Sequence, residues 1–212
     1  MSGLTDNLDS IAEQIRLSLS AKDAAREKVL PLCREVVRHC SQGIRAVHRQ
    51  EFDQATTMLK SARGLLAEIE QAIAECDELS YTGFVRDAQK EFAEGSITLA
   101  LVTGKSPPDP NKLGINSAAY LNGLGEAVGE LRRYLLDSIR TGDLSRGEEL
   151  LSAMDDIYNV LVTMDFPDAI TGGLRRTTDM VRGVLERTRS DLTVVIRQKD
   201  LEKKLERLDE KS

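Results

Sequence analysis

Hydrophobic residues recur every three or four positions along almost the whole chain, which is the spacing of amphipathic helices. This pattern predicts a frayed helix at about 4–20 and longer helices at about 22–50, 52–77 and 79–104. Further helices are predicted at about 116–141, 144–164 and 167–197. Aromatic residues make up only 4% of the chain, which argues against a β-sandwich or barrel. The pattern therefore predicts an all-α protein, a single-domain antiparallel bundle of about seven helices over residues 1–212.

Proline and glycine mark the breaks between these helices. The strongest break is the sequence GKSPPDPNKLG at 104–114, which predicts a loop of about ten residues. A tight turn is predicted at 141–143, and Pro167 suits the first turn of the helix that it opens. Pro31 lies inside a predicted helix and predicts a kink there. The charged tail after residue 197 is either a further helix or disordered.

The composition excludes several classes of protein. Hydrophobic residues make up 41% of the 212 residues, which is enough for a buried core and excludes a wholly disordered chain. No apolar run approaches the roughly 18–20 residues of a membrane helix, and the N-terminus lacks the apolar segment of a signal peptide. Cys33, Cys40 and Cys76 lie in apolar helical stretches and are expected to be reduced core thiols. Together these features predict a cytoplasmic protein.

The net charge of −6 argues weakly against a nucleic-acid partner, but the charges are segregated along the chain. Residues 22–50 contain seven basic and three acidic side chains, whereas residues 51–80 contain two basic and seven acidic ones. Such a chain can present a basic face on an otherwise acidic body.

A row of basic side chains follows one face of the predicted helix 22–50, opposite its apolar face. This basic stripe consists of Arg34, Arg38, Arg45, His48 and Arg49. An ordinary solvated surface accounts for it; the alternative is a track for phosphate groups, whose oxygens pair with guanidinium groups. Because the chain has few aromatic residues for base stacking, such a track would bind the nucleic-acid backbone more than its sequence. Arg175 and Arg176 either extend a basic surface or pair with acidic side chains.

Acidic side chains line up in a similar way on two other predicted helices. On the fourth predicted helix, Asp87, Glu91 and Glu94 fall within an arc of about 60°. On the next one, Glu126 and Glu130 lie about 40° apart. If these two helices are neighbours, four or five carboxylates converge, and their oxygens would suit a hard cation such as Mg²⁺ or Mn²⁺. Two ordinary solvated faces remain the alternative.

Glycines on the second acidic helix indicate a close contact. Gly123, Gly125 and Gly129 each cost a helix roughly 1 kcal/mol relative to alanine, so they favour the close approach of a partner helix or a ligand. Arg133 lies on the face of Glu126, where it would brace a carboxylate or hold a phosphate. A di-iron site is disfavoured, because it requires Glu-x-x-His motifs and neither acidic helix contains a histidine.

Three segments resemble the translin superfamily, which comprises translin and translin-associated factor X. They read AREKVLPLCREVVRHCSQGIRAVHR at 25–49, FVRDAQKEFAEG at 84–95 and YLNGLGEAVGELRRYLLDSIRTGDLSR at 120–146. The resemblance covers about residues 22–197, and the chain is most similar to archaeal translin-like proteins that form homo-oligomers. Pro31, the loop at 104–114 and the tail at 198–212 depart from it.

The resemblance implies an all-α chain of about seven helices in a closed, hollow homo-octamer, whose basic inner surface binds single-stranded RNA or DNA. It also implies a divalent-metal-dependent endoribonuclease like factor X. Its catalytic acids, which are also the ligands of Mg²⁺ or Mn²⁺, correspond to Glu91, Glu94, Glu126 and Glu130. The nucleic acid would contact Arg34, Arg38, Arg45, His48, Arg49 and Arg133. The alternatives are a non-catalytic oligomer that binds single-stranded nucleic acid, like translin, and a helical scaffold that binds only proteins.

Overall fold

The computed structural model describes residue 5 and the ranges 7–74 and 77–209, which contain eight α-helices and no β-strand. The helices of the first half are α1 (Leu8–His48), α2 (Phe52–Ala72), α3 (Gly83–Val102) and α4 (Pro110–Leu113). Those of the second half are α5 (Ser117–Arg140), α6 (Gly147–Val162), α7 (Asp168–Thr171) and α8 (Leu174–Asp209). A 3-10 helix spans Asp77–Tyr81. The predicted all-α fold is confirmed.

Helix α1 is unbroken where the sequence predicts two helices, at about 4–20 and 22–50. The stretch 18–26 between them contains no glycine or proline, so no residue ends the first helix. The helix also continues through Pro31, at which the kink stays a prediction. None of the residues of α1 before Val29 is buried, so this half of the helix extends beyond the core.

The C-terminal region differs from the single helix predicted over 167–197. α7 ends after one turn because Gly172 and Gly173 adopt positive φ angles of 64° and 90°, which interrupt the helical backbone before α8 begins. Pro167 is the N-cap of α7 rather than a residue of its first turn. α8 then continues to Asp209, because its tail is rich in the strong helix formers Leu, Glu, Lys and Arg.

The connection between α3 and α5 also contains more structure than the loop predicted at 104–114. The side chain of Asp109 accepts a hydrogen bond from the backbone N–H of Lys112 at 2.9 Å and so caps the one-turn helix α4. α2 ends at Ala72 and α3 begins at Gly83, several residues inside their predicted limits, because the 3-10 helix occupies part of the connection.

The core lies between the six long helices. α1 packs against α2 and α3, α3 packs against α5, and α5 packs against α6 and α8. Each long helix contributes fully buried apolar side chains, among them Val36, Ile69, Ile97, Leu131, Met154 and Val181. Burying one such side chain stabilises the fold by about 1.5–3 kcal/mol. Within the described ranges, no helix combines the length and apolar character needed to cross a membrane.

Two cysteines of α1 belong to this core. Cys33 is 3% exposed, Cys40 is fully buried, and both are free thiols. Burial raises the pKa of the Cys33 thiol to about 11 and raises the pKa of Cys40 as well. Both thiols therefore stay protonated at neutral pH, as expected for core cysteines. Cys76 lies outside the described residues.

Helices α3 and α5 approach closely at a glycine. A Cβ built on Gly123 would lie 2.6 Å from the Cβ of Ala93 and 2.6 Å from the backbone oxygen of Lys90. These distances are below van der Waals contact, so only glycine fits while the helices keep this spacing. Gly125 has the same role toward α8, where a Cβ would collide with Thr177, whereas Gly129 faces open space. The predicted close approach is thus confirmed for two of the three glycines.

Replacing Gly123 with alanine should destabilise the protein by about 1–3 kcal/mol, because α3 and α5 must separate to admit the methyl group. The Gly129→Ala variant is the matched control. It makes the same change on the same helix without a collision, and we expect it to be neutral or to stabilise by up to about 1 kcal/mol. Urea denaturation of both variants checks this prediction. Equal stabilities would contradict the close packing at Gly123.

Candidate metal centre

Three glutamates from two helices converge where α3 packs against α5. Glu91 and Glu94 lie one turn apart on α3, and Glu126 faces them from α5. One carboxylate oxygen of each lies within 4.8 Å of the others. Three oxygen donors at this spacing can hold a hard divalent cation, for which carboxylates are the preferred protein ligands. The predicted convergence of the two acidic helices is therefore present in the structure.

These carboxylates line a pocket of about 500 Å³, the acidic pocket. Its lining residues are Ser41, Ile44, Arg45, Lys90, Glu91, Glu94, Glu126, Glu130 and Arg133. The pocket contains the four predicted acids together with two of the predicted phosphate-binding arginines, Arg45 and Arg133. Asp87, the remaining acid of the predicted arc, is exposed and does not line this pocket.

Burial disfavours the ionised forms of Glu91 and Glu94 and so raises their pKa values. Burial and the charges of Glu91, Glu126 and Glu130 raise the pKa of Glu94 to about 8. The pKa of Glu91 is also raised, first by burial and then by its acidic neighbours, against the opposing effect of Lys90. Without a cation, Glu94 therefore holds a proton at neutral pH. The same carboxylates help to raise the pKa of Cys40, so this thiol offers no thiolate to a softer metal.

Lys90 is part of the site, although it is not among the site residues predicted from the sequence. Its Nζ donates a hydrogen bond to Oε1 of Glu126 at 2.8 Å, and both side chains are largely shielded from solvent. Burial alone would lower the pKa of Lys90, but the contact with Glu126 and the charges of nearby acids raise it overall. Lys90 lies four residues before Glu94 and therefore on the same face of the helix. This spacing was the sequence signal that could have placed Lys90 near the acids.

His48 lies with the acids rather than with the exposed arginines of the basic stripe. Its side chain is 5% exposed, and Nε2 donates to Oε2 of Glu130 at 2.5 Å. We place the proton on Nε2 because an ionised carboxylate only accepts hydrogen bonds. This hydrogen bond, together with the charges of His48 and Arg133, lowers the pKa of Glu130 despite its partial burial. Glu130 therefore stays ionised where Glu94 does not.

The four arginines of the basic stripe are exposed, as predicted, but the structure brings only Arg45 to the acidic pocket. Arg38 pairs with Glu35, and Arg49 pairs with Glu51 at 2.8 Å. Arg133 lies 3.9 Å from Glu130 and is 57% exposed, so its guanidinium group is accessible from the pocket mouth. Arg34 and Arg38 lie elsewhere on α1 and Arg49 directly follows its last residue, and the contacts of all three with nucleic acid stay a prediction.

Comparisons with known proteins show which proteins share this sequence and fold. No protein-family model matches the chain. The chain is 30% identical over 195 residues to the uncharacterised protein MJ0175 of Methanocaldococcus jannaschii, covering 90% of this chain and 85% of that protein. It superposes on AfC3PO, solved in a complex with duplex RNA, with a TM-score of 0.81 and 35% identity, covering 88% of this chain and 97% of that one. The chain belongs to the translin superfamily. Apo-NeC3PO, at 15% identity and a TM-score of 0.75, shares the fold.

In this member of the translin superfamily, the raised pKa of Glu94 predicts a pH-dependent stability. Between its usual pKa of 4.5 and about 8, the folded chain keeps a proton that the unfolded chain releases. Stability should therefore fall as the pH rises through this range, and the Glu94→Gln variant should lose less stability than the parent. Urea denaturation in EDTA at about pH 5 and about pH 9 measures the difference. The exposed Glu148→Gln is the control; parallel behaviour of the Glu94 variant and the parent would contradict the prediction.

Proposed function

We propose that the protein is a divalent-metal-dependent endoribonuclease that acts on single-stranded RNA. The observation that carries the proposal is the convergence of Glu91, Glu94 and Glu126 from two helices within 4.8 Å, in a pocket that is also lined by arginines. Carboxylates packed this closely repel one another, and a bound cation would relieve that repulsion. Guanidinium groups beside a metal centre are suited to phosphate oxygens.

Each side chain of the acidic pocket has a proposed task. Glu91, Glu94 and Glu126 hold Mg²⁺ or Mn²⁺, which would activate water and neutralise charge on the scissile phosphate. Glu130, kept ionised by His48, is the fourth acid and accepts a proton from the attacking water or completes the ligand set. Arg45 and Arg133 hold the phosphates of the strand. Lys90 offsets the charge of Glu126 when no cation is present.

RNA is the ligand class supported by the comparisons, since AfC3PO was solved with duplex RNA. The four exposed arginines of the basic stripe would extend the phosphate track beyond the pocket; they are Arg34, Arg38 and Arg45 of α1 and Arg49 at its C-terminal end. The resemblance to the family further supports a closed homo-oligomer, a homo-octamer, with this track on its inner surface. In such an enclosure a net charge of −6 is compatible with RNA binding, because the basic face would be turned inward.

A non-catalytic RNA-binding oligomer is the second candidate, because Lys90 already compensates part of the acidic charge without a metal. Under that alternative, the chain binds RNA with a steep salt dependence but does not cleave it. A scaffold that binds only proteins would show no such salt dependence for RNA.

We expect Mn²⁺- or Mg²⁺-dependent cleavage of a labelled single-stranded RNA, abolished by EDTA and reduced at least about 100-fold in the Glu126→Gln variant. RNA binding should survive the substitution, because Glu126 holds the metal and not the strand. Glu148→Gln, the same change at an exposed position of α6, should cleave like the parent. The same RNA annealed to its complement tests whether a duplex is bound without being cut. If the parent chain binds RNA but does not cleave it, the endoribonuclease proposal is wrong and the non-catalytic RNA-binding alternative is supported.

Metal binding should strengthen as the pH rises toward about 8, because the cation must displace the proton of Glu94. Calorimetric titration with Mn²⁺ in two buffers of different ionisation enthalpy reports both the affinity and the proton released. The Glu94→Gln variant should bind more weakly and release fewer protons. An affinity independent of pH in the parent chain would show that Glu94 is not a ligand.

A further inference from the structure

A second polar pocket adjoins the acidic pocket on the side of α8. It has a volume of about 440 Å³ and is formed where α3, α5 and the start of α8 meet. Its basic side chains are Arg86, Lys90 and Arg176, and its lining also includes Gly172 and Gly173. We call it the basic pocket. Lys90 and Glu126 line both pockets, so their ion pair stands at the boundary between them.

Two of its cations are unpaired within the described residues. Lys90 is neutralised by Glu126, but neither Arg86 nor Arg176 forms an ion pair or a side-chain hydrogen bond in the parts of the chain that the structure describes. The remaining acid at the pocket, Asp87, is exposed. By contrast, the part-buried Arg132 of α5 pairs with Asp191 of α8 at 2.7 Å. The basic pocket therefore has an excess of positive charge available to a ligand.

The turn formed by Gly172 and Gly173, between α7 and α8, is fixed by the buried side chain of Asn122, which hydrogen-bonds to a residue before the turn and to one after it. Nδ2 of Asn122, which is 6% exposed, donates to the backbone oxygen of Thr171 at 2.8 Å, just before the two glycines. Oδ1 of Asn122 accepts from the hydroxyl of Thr177 at 2.7 Å, in the first turn of α8. The turn is thus fixed relative to α5, and with it the N-terminal end of α8, whose helix dipole favours an anion.

The conformation of Gly172 also makes room for Arg86. A Cβ at Gly172 would lie 3.1 Å from Nη1 of Arg86, and its φ of 64° disfavours other residues. The guanidinium group consequently lies against the backbone of the turn. Such an arrangement combines a cationic side chain with a helix N-terminus at one small pocket, which is typical of sites that bind phosphate groups.

We propose that the basic pocket binds one phosphate group of the RNA strand whose neighbouring phosphate lies at the three-glutamate cluster. This rests on the proposed function for the identity of the strand as RNA. Arg86 and Arg176 hold the phosphate oxygens, and the strand passes the Lys90–Glu126 pair between the two pockets. The basic pocket thereby positions the strand and does not take part in bond cleavage. The phosphate belongs to the internal backbone or to the 5′ end of the strand, and both have the same chemistry.

The test measures RNA binding in EDTA, so that it does not depend on metal or on cleavage. The probes are two single-stranded RNAs of about ten nucleotides and identical sequence, one with a 5′-phosphate and one with a 5′-hydroxyl. The variants are the double change Arg86→Gln/Arg176→Gln and the single change Arg176→Gln, which alters only an exposed side chain. Arg175→Gln is the matched control, since this neighbouring arginine is exposed, faces Asp165 and lies outside the basic pocket. Thermal denaturation checks that each variant is folded.

We expect the double variant to bind about tenfold more weakly than the parent, with a salt slope that is shallower by about 0.7 for each phosphate that is no longer neutralised. The single variant should lose part of this affinity, and the control should lose none. A loss with both probes supports an internal phosphate, and a loss confined to the 5′-phosphate probe supports a terminal one. If the parent binds RNA and the folded variants bind like the Arg175→Gln control, the basic pocket is not a phosphate site. Failure of the parent itself to bind RNA would instead contradict the proposed function.

Discussion

The close packing of α3 against α5 sets the distance between the carboxylates of the two helices. This spacing depends on Gly123, because any side chain there would press against the backbone of Lys90 and against Ala93. With the helices this near, Glu126 reaches Glu91 and Glu94 within one coordination shell. A glycine inside a helix destabilises it, and here that cost accompanies a site that a wider helix pair could not form. Gly123 thus both weakens helix α5 and allows the short distance between the carboxylates.

Convergent carboxylates raise the free energy of the metal-free protein, and the surrounding helices reduce this cost in different ways. Glu94 takes up a proton, Glu126 pairs with Lys90, and Glu130 accepts a hydrogen bond from His48. A bound cation would displace the proton on Glu94, whereas the hydrogen bond from His48 keeps the Glu130 carboxylate ionised without one. The cluster therefore contains one carboxylate that is protonated near neutral pH, Glu94, and one that stays ionised, Glu130.

Much of this arrangement could be predicted from the sequence because helical periodicity is a local property. It placed Glu91 with Glu94, and the cost of glycine in a helix pointed to the contact at Gly123. The helical spacing placed Lys90 on the face of Glu94, but its pairing with Glu126 and the position of His48 among the acids depend on which helices are neighbours, and periodicity within one helix does not contain that information. The division of the C-terminal helix followed from the positive φ angles of Gly172 and Gly173. The break predicted within α1 had no such residue to cause it, and it was wrong.

The protonated thiol of Cys40 gives the protein an internal reporter of opening. The side chain is fully buried, yet close enough to Glu91 and Glu94 for their charges to affect its pKa. A thiol reagent can modify it only after the surrounding core has opened, so the modification rate follows local opening of the core near the carboxylates. Once Cys76 is replaced, labelling kinetics at Cys40 and Cys33 would separate motions near the carboxylates from those two turns away along the same helix.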